Sequence, residues 1–390
     1  MSGLKPGWKM VKFGDVVRQC KESVDRDNNP FEKYVEGGHM DSGNIHIRRW
    51  GEFGDDYVGP AFHRIFRKGQ ILYGSRRTYL KKVATAEFDG ITANTTFVCE
   101  TKDKNVFMQE LLPFLMLTDS FTEHSVRESK GSTNPYINWP DIAKYQFPLP
   151  PLAEQKRIAE LLWAADEVLE KFKASVALIA TVQNQALRES LQHESTSELK
   201  CGDLYCAPPR NGVSPKTNPF GAGYPTLSIG AVRDGAIEPQ DNTKFATISE
   251  SDLEKFRLHT GDILVVRGNG NKHLCGKAGL VAEVPENCFY PDLLIRIAFD
   301  VKKILPEFAV AQWNDPLMHN NLLAHAKSTN GIWKINGKDL RQHKLLVPDI
   351  DVQQDVLKQL SIIEACKKEL SRHIEVLLRL QHQIANEITN

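Results

Sequence analysis

Two segments of the sequence concentrate positive charge, and each contains a short apolar run. AFHRIFRKGQILYGSRRTYLKK, residues 61–82, has seven basic residues and no acidic residue. KFRLHTGDILVVRGNGNKHLCGK, residues 255–277, has five basic residues and the single acid Asp262. Lys and Arg bind phosphates, whereas Arg recognises guanine and Asn recognises adenine through paired hydrogen bonds. The two segments therefore predict two DNA-binding loops.

The candidate DNA-binding residues lie around and after the strand-like runs QILYG and DILVV. In the first segment they are Arg64, Arg67, Lys68, Ser75, Arg76, Arg77, Thr78, Tyr79, Lys81 and Lys82. In the second segment they are Arg267, Asn269, Asn271, Lys272 and Lys277. A solvated cationic loop is the alternative interpretation for any single residue, because charge runs usually face water. Recurrence at matching places favours binding for the loops as a whole.

Both loops belong to a longer internal repeat. KGSTNPYINWPDIAKYQFPLPPLAEQ begins at residue 130, and KSTNGIWKINGKDLRQHKLLVPDIDVQQ begins at residue 327. From Ile137 onward the offset is constant (335 − 137 = 198), which is close to half of the 390 residues. The chain therefore contains one unit twice.

The repeat divides the chain into four predicted regions. Short β-branched and aromatic runs between Gly, Asn, Asp and Pro predict mixed domains, with strands dominant, over residues 1–147 and 196–346. Two helical regions, residues 148–195 and 347–390, follow these domains. The expected fold class is α+β, with two similar mixed domains and two long helices related by an internal pseudo-two-fold repeat.

Apolar residues in each helical region recur at alternating steps of four and three, which is the seam of a coiled coil. The predicted interface residues are Ile158, Leu162, Ala165, Leu169, Phe172, Val176, Ile179, Val356, Leu360, Ile363, Leu370, Ile374, Leu377 and Ile384. An antiparallel pair within the chain would bury both seams. Packing of each helix on its own domain and pairing between subunits are the alternatives.

The composition predicts a soluble globular protein rather than a membrane-spanning or disordered one. Charged residues make up 25% of the chain and hydrophobic residues 41%, without a long apolar run. The start, MSGLKPGWKMVKF, lacks the apolar core of a secretory signal, so we expect a cytoplasmic location. Seven widely spread cysteines predict reduced thiols, and the spacing of Cys201 and Cys206 does not predict a metal site.

The common catalytic and cofactor motifs are absent from the sequence. RGNGNKHLCGK lacks the spacing of a phosphate-binding loop, and no H-E-x-x-H or G-x-S-x-G pattern occurs. Asn134-Pro135-Tyr136 is close to an adenine methyltransferase element, but its second proline and an upstream glycine-rich loop are missing. The sequence predicts a chain that is not catalytic by itself and holds no cofactor.

PLPPLAEQKRI, residues 148–158, followed by a long heptad helix and a second such arrangement, resembles the specificity subunit of Type I restriction-modification systems. The second copy departs from this pattern at Asp349 and Gln354. The resemblance implies two target-recognition domains that bind a bipartite double-stranded DNA target, with the helix pair as a ruler. It also implies two methyltransferase subunits and restriction subunits as partners. The methyltransferase subunit would hold S-adenosylmethionine and methylate adenine N6.

Two other functions compete with this interpretation. A stand-alone DNA methyltransferase or nuclease would need the cofactor loop or the acidic cluster that the sequence lacks. A coiled-coil scaffold without a DNA role explains the heptads but leaves the two basic loops unexplained. Salt-dependent DNA binding by the isolated chain distinguishes the scaffold from a DNA-binding protein.

Overall fold

The computed structural model describes residues 4–25, 28–54, 58–218, 220–233, 235–329 and 331–389. Asn330 of the predicted Ser-Thr-Asn repeat lies outside these residues. The chain forms two compact units: Met1–Ala174 with Leu370–Asn390, and Ser175–Glu369. Each unit therefore holds one globular region and one part of each long helix.

The first globular region is rich in short strands. Its strands are β1 Lys9–Lys12, β2 Val17–Cys20, β3 Lys33–Val35, β4 Gly51–Glu52, β5 Phe62–Phe66, β6 Ile71–Gly74, β7 Val83–Thr85, β8 Gly90–Ala93, β9 Thr96–Thr101 and β10 Gln146–Leu149. Its helices are α1 Phe13–Val16, α2 Leu112–Leu117, α3 Asp119–Arg127 and α4 Trp139–Ile142, and the long helix α5 spans Leu152–Ser190.

Two four-stranded sheets and one strand pair organise this region. One sheet has the antiparallel order β2-β9-β6-β7, the other has the order β4-β3-β8-β5, and β1 pairs with β10. Strands β6 and β8 are buried at every residue, because apolar side chains cover both faces of the sheets. The main core joins Phe13, Tyr73 and Phe121 to residues of α5.

The second globular region repeats this plan with additional strands. Its strands are β11 Ser197–Lys200, β12 Tyr205–Asn211, β13 Thr217–Asn218, β14 Tyr224–Leu227, β15 Val232–Arg233, β16 Ala236–Ile237, β17 Thr243–Ala246, β18 Ile263–Val266, β19 Gly268–Asn269, β20 Ala278–Leu280, β21 Leu294–Phe299, β22 Lys327–Thr329, β23 Ile332–Lys334 and β24 Lys344–Val347. Its helices are α6 Cys201–Leu204, α7 Glu250–Phe256, α8 Pro306–Trp313, α9 Pro316–Leu323 and α10 Gly337–Gln342, and the long helix α11 spans Ile350–Asn386.

The sheet order of the second region matches that of the first. The order β12-β21-β18-β20 corresponds to β2-β9-β6-β7, and the pair β11–β24 corresponds to β1–β10. The helix pair α8–α9 likewise occupies the chain position of α2–α3. The internal repeat predicted from the sequence is therefore a repeat of the fold, and the α+β fold class is confirmed.

The long helices pair within each unit. In the first unit, Ile158 and Leu162 at the start of α5 share a core with Ala385 and Ile388 at the end of the chain. In the second unit, Leu187 near the end of α5 shares a core with residues from the start of α11. Early residues of one helix contact late residues of the other, so the helices run antiparallel, as predicted.

The predicted interface residues of both helices point away from solvent. All of them are buried or half-buried, from Ile158 to Ile179 on α5 and from Val356 to Ile384 on α11. The polar seam residue Gln381 donates a hydrogen bond from Nε2 to the carbonyl oxygen of Leu162, at 3.4 Å. A 3.5-residue repeat keeps one apolar stripe on one face of each helix, which explains this burial.

A buried glutamine fixes the entry of each long helix. Gln155 Nε2 donates to the carbonyl oxygens of Val106 and Pro150, both at 2.9 Å, and its Oε1 accepts from the Met108 amide at 2.9 Å. Gln353 makes the same three kinds of bond with Lys303, Leu305 and Pro348. Because these bonds are buried, removal of either amide would leave backbone groups unsatisfied.

The cysteines and the character of the helices are the last features of the fold. All seven cysteines are free thiols; Cys99, Cys201, Cys275 and Cys288 are buried, and burial raises the pKa of Cys288 to about 12. In the described parts of the chain, no helix has both the length and the apolar character needed to cross a membrane.

Candidate nucleic-acid interface

The loop after β6 is held in an unusual backbone conformation. Arg77 and Lys81 flank a short 3-10 helix, Thr78–Leu80, and both have positive φ, at 48° and 49°. A left-handed conformation is unfavourable for residues with a Cβ atom, and such residues cluster at functional sites. Among the described residues of the first unit, these are the non-glycine residues with positive φ. The loop therefore holds its cations in a defined geometry.

A hairpin covers this loop. Lys130 and Tyr136 exchange two backbone hydrogen bonds, at 2.8 Å and 2.9 Å, which closes residues 130–136 into a hairpin. Arg77 donates its amide to the Pro135 carbonyl at 2.7 Å. The Tyr136 ring is 40% exposed, and the Arg76 guanidinium lies 6.0 Å from its centroid. The loop and the hairpin thus present a cation and an aromatic ring together.

The second unit has a comparable arrangement, formed by residues at other positions. Strand β19 pairs with β23, and β23 pairs with β22 to form a hairpin. The Lys272 ammonium lies 4.6 Å from the centroid of the Trp333 ring. A cation and the face of an aromatic ring attract each other, and both groups are common at nucleic-acid interfaces. Each domain therefore combines a basic loop with an aromatic hairpin.

Three chain segments meet at one residue in each domain. Ser75 donates its amide to Thr95 at 3.0 Å, and its carbonyl accepts from Ile137 at 2.9 Å. Arg267 makes the equivalent bonds with Leu293, at 2.8 Å, and Ile335, at 2.9 Å. Ser75 and Arg267 hence occupy equivalent places, which we call the junction residues. The backbone is the same at the two junctions, whereas the side chains differ.

The predicted cations of the first loop fall into two groups. Arg76 and Arg77 are exposed and form no ion pair with the acidic residues that the structure describes. Arg67 contacts Glu22 at 2.6 Å and Asp89 at 3.2 Å, and Lys81 contacts Asp119 at 2.9 Å. The Lys81 hydrogen bond lowers the pKa of the Asp119 carboxyl. Arg76 and Arg77 are therefore the cations best placed for an external phosphate.

The remaining predicted residues of the first segment occupy varied positions. Tyr79 is 54% exposed, and Lys68 is also exposed. Ser75 and Thr78 are buried, and their hydroxyls bond to the Thr95 carbonyl at 2.7 Å and to Ser129 Oγ at 3.3 Å. Two further predicted cations bond to backbone carbonyls: Arg64 to Lys21 and Lys82 to Gly37. The structure does not bring these cations and hydroxyls together into one exposed patch.

In the second segment, Asn271 and Lys272 are exposed, whereas Asn269, Arg267 and Lys277 are half-buried. Arg267 Nη1 donates to the Asp292 carbonyl at 3.2 Å and lies 3.8 Å from the carboxylate of that residue. Lys277 Nζ donates to the Asn314 carbonyl at 3.3 Å. Arg267 is thus restrained but still reaches the surface.

The hairpin residues Lys130, Tyr136, Trp333 and Lys334 were not among the predicted site residues. The repeat in the sequence indicates the aromatic residues of this hairpin. Each copy of the Ser-Thr-Asn motif is followed by an aromatic residue and then by Ile-Asn. The pairing of this segment with the basic loop is a long-range contact, which the sequence pattern does not give.

A separate cluster in the first unit joins the domain to α5. The ligand atoms of His46, Asp166 and Glu170 lie within 4.8 Å of one another. His46 Nε2 contacts Asp166 at 2.7 Å and His46 Nδ1 contacts Glu87 at 3.0 Å, and the Asp166 hydrogen bond raises the pKa of His46 to about 9. In the structure these side chains form an ion-pair network between the domain and α5.

Comparisons with known proteins agree with this architecture. The family described as "Type I restriction modification DNA specificity domain" matches residues 5–178. The EcoKI specificity subunit of Escherichia coli (strain K12) is 29% identical over 309 residues, which is 73% of this chain and 66% of that protein. The putative MjaX specificity subunit of Methanocaldococcus jannaschii is 27% identical over 168 residues, 43% of this chain and 39% of that protein. The chain thus spans just under two thirds of one relative and less than half of the other.

Solved structures share the fold over the full length. A chain from a structure of complex assembly and conformational transition in the type I R-M system has a TM-score of 0.61 and 19% identity, and the match covers 100% of this chain and 99% of that one. The S subunit of the Type I system of M. genitalium has a TM-score of 0.56 and 13% identity, with 100% and 97% covered. Residues 5–178 match the family described as "Type I restriction modification DNA specificity domain", and the chain is similar to the specificity subunits of Type I restriction-modification systems.

Proposed function

We propose that this chain is the DNA-recognising specificity subunit of a Type I restriction-modification complex. Each loop and hairpin site would bind one half of a split double-stranded target. The observation that carries the proposal is that each unit places a cation beside an aromatic ring, Arg76 with Tyr136 and Lys272 with Trp333. Basic side chains bind phosphates and aromatic rings stack on bases, so the pair fits a nucleic acid better than an apolar partner.

The charge distribution supports the same proposal. The chain has 49 basic and 49 acidic residues, so non-specific attraction to DNA is weak for the molecule as a whole. Arg76 and Arg77 remain without an acidic partner among the described residues while neighbouring cations are neutralised. Binding would accordingly depend on these few positions and on partner subunits that add further phosphate contacts.

In this proposal the chain contributes recognition and assembly rather than chemistry. Two methyltransferase subunits would dock on the chain, bind S-adenosylmethionine and methylate adenine within the target. Restriction subunits would join the same complex. The absence of a phosphate-binding or cofactor motif in the sequence supports this division of labour.

Transfer of radiolabelled methyl groups from S-adenosylmethionine to DNA tests the proposal. The assay compares the chain alone, the methyltransferase subunit encoded beside it alone, and both together. We expect transfer only when both are present. Transfer by this chain alone, or equal transfer by the methyltransferase without it, would contradict the proposal.

Replacement of the exposed cations tests the site itself. We expect Arg76→Ala with Arg77→Ala to weaken DNA binding about tenfold and to reduce its salt dependence, because each phosphate contact releases counterions. Arg127→Ala is the matched control, since Arg127 is exposed on α3 and pairs with Glu128. Equal loss in the control would show that net charge, and not the loop, determines binding.

A further inference from the structure

A cleft beside the first junction is lined by three side-chain amides. It has a volume of about 700 Å³ and opens to solvent between the β6 loop, the β8–β9 turn and the hairpin. Its polar lining includes the side chains of Gln19, Asn94 and Asn138, the cations Lys21, Arg76 and Lys130, and the carboxylate of Asp141, which pairs with Lys130 at 3.2 Å. Phe97 and Trp139 also line the cleft. Amides contact base edges, cations contact phosphates and aromatic rings contact base faces.

Asn138 occupies a helix-capping position without capping the helix. It immediately precedes α4, where an Asn side chain normally accepts hydrogen bonds from the second or third backbone amide. The second residue of α4 is Pro140, which has no amide hydrogen to donate. The Asn138 side chain makes no hydrogen bond with the residues that the structure describes, and it lines the cleft. Its amide is consequently available to a ligand.

The equivalent residue in the second unit is engaged in the fold. Asn336 precedes α10, and its Oδ1 accepts from the amides of Lys338 at 2.8 Å and Asp339 at 3.2 Å. The Asp339 carboxylate accepts from the Asn336 backbone amide at 2.9 Å, which completes a capping box. Lys338 stands where the first unit has Pro140, so the first unit lacks one of the two amide donors that bond to the capping side chain in the second unit. The other donor position is Asp141, whose amide bonds to the Asn138 backbone carbonyl at 3.1 Å.

Asn94 shows the same contrast with its counterpart. Its backbone amide bonds to the Ala61 carbonyl at 3.0 Å, while its exposed side chain makes no hydrogen bond with the described residues. Asp292 stands at the equivalent place before the second junction, and its carboxylate accepts from Ser214 Oγ at 2.6 Å. In the first unit, the side-chain amides of Asn94 and Asn138 thus form no hydrogen bond with the described residues. Their counterparts in the second unit, Asp292 and Asn336, form side-chain hydrogen bonds within the fold.

We propose that this cleft is the base-recognition site of the first domain, and that Asn94 and Asn138 hydrogen-bond adenine edges in one half of the target. This inference rests on the proposed function of the chain in DNA recognition. A side-chain amide offers one donor and one acceptor side by side, which matches N7 and the N6 amino group of adenine in the major groove. Lys21 and Arg76 at the rim would bind the adjoining phosphates.

Sequencing of methylated adenines in a host that carries the chain and its methyltransferase subunit tests the inference. Asn94→Ala and Asn138→Ala are compared with the unaltered chain and with Asn105→Ala, an exposed asparagine outside the cleft. We expect each cleft variant to lose selection for an A·T pair at one position of one half-site. Methylation of the original motif should fall about tenfold or more, since one paired contact discriminates by that order. The other half-site and the Asn105→Ala motif should not change.

Two results would overturn the inference in distinguishable ways. If the unaltered chain directs methylation to a split motif and both cleft variants keep every position of it, the inference is wrong and the proposed function stands. The same conclusion follows if both half-sites weaken equally. If the unaltered chain directs no methylation to a split motif, the proposed function fails as well.

Discussion

At the scale of single residues, neighbouring acidic side chains determine which cations of the first loop remain available to bind a ligand. Arg67 and Lys81 lie within 3.2 Å of carboxylates, whereas Arg76 and Arg77 make no such contact with described residues. The sequence predicted all four alike, because Glu22, Asp89 and Asp119 lie outside the segment and meet it only in the folded chain. Charge runs can therefore be located from sequence, but their neutralisation depends on tertiary structure.

The ion pair between His46 and Asp166 gives the first unit a pH-dependent stability. The Asp166 hydrogen bond raises the pKa of His46 to about 9, from an ordinary value of 6.5. Because the folded chain holds the proton more tightly, the contribution is complete below about pH 6.5 and is lost as the pH rises through about 9. We expect His46→Gln to lower the free energy of unfolding by about 1–2 kcal/mol at pH 6, after allowance for partial exposure.

Urea denaturation at pH 6 and pH 10 measures this effect, with His63→Gln as the control in the same domain. The difference between the His46 variant and the unaltered chain should largely disappear at pH 10. A difference that persists unchanged at pH 10 would show that His46 stabilises the unit by packing rather than by charge.

At the scale of secondary-structure elements, the heptad pattern was the most informative part of the sequence. The predicted helical regions are residues 148–195 and 347–390, and within them the structure has the long helices Leu152–Ser190 and Ile350–Asn386. A period near 3.5 is a local property that packing preserves, so such helices can be predicted. The pairing of β23 with β19 could not be predicted in this way, because it joins residues far apart in sequence.

Adjacent leucines on α5 test the helix pairing directly. Leu162 is fully buried in the seam, whereas Leu161 is 44% exposed. We expect Leu162→Ala to lower the free energy of unfolding by about 2–5 kcal/mol, the usual cost of a cavity at a buried leucine. Leu161→Ala should cost less than about 1 kcal/mol, since it leaves no cavity. Urea denaturation of both variants measures the difference, and equal costs would contradict the assigned seam.

At the scale of the whole molecule, duplication accounts for the architecture and for the two candidate sites. The same sheet order, the same buried glutamine and the same junction occur once in each unit, while the exposed side chains around the junction differ. The repeat was visible in the sequence because framework residues such as Gln155 and Gln353 are constrained by buried hydrogen bonds. The site residues were less predictable, since nothing in the fold constrains them to match.

We propose that each domain recognises one half of a split DNA target. The most direct test maps methylated adenines across the genome of a host that carries the chain and its methyltransferase subunit, and repeats the map with Arg267→Ala. Arg267 is the junction residue of the second unit, so this variant should relax one half-site and leave the other half-site and the spacer unchanged. A continuous motif for the unaltered chain, or a variant that alters both half-sites equally, would contradict the account.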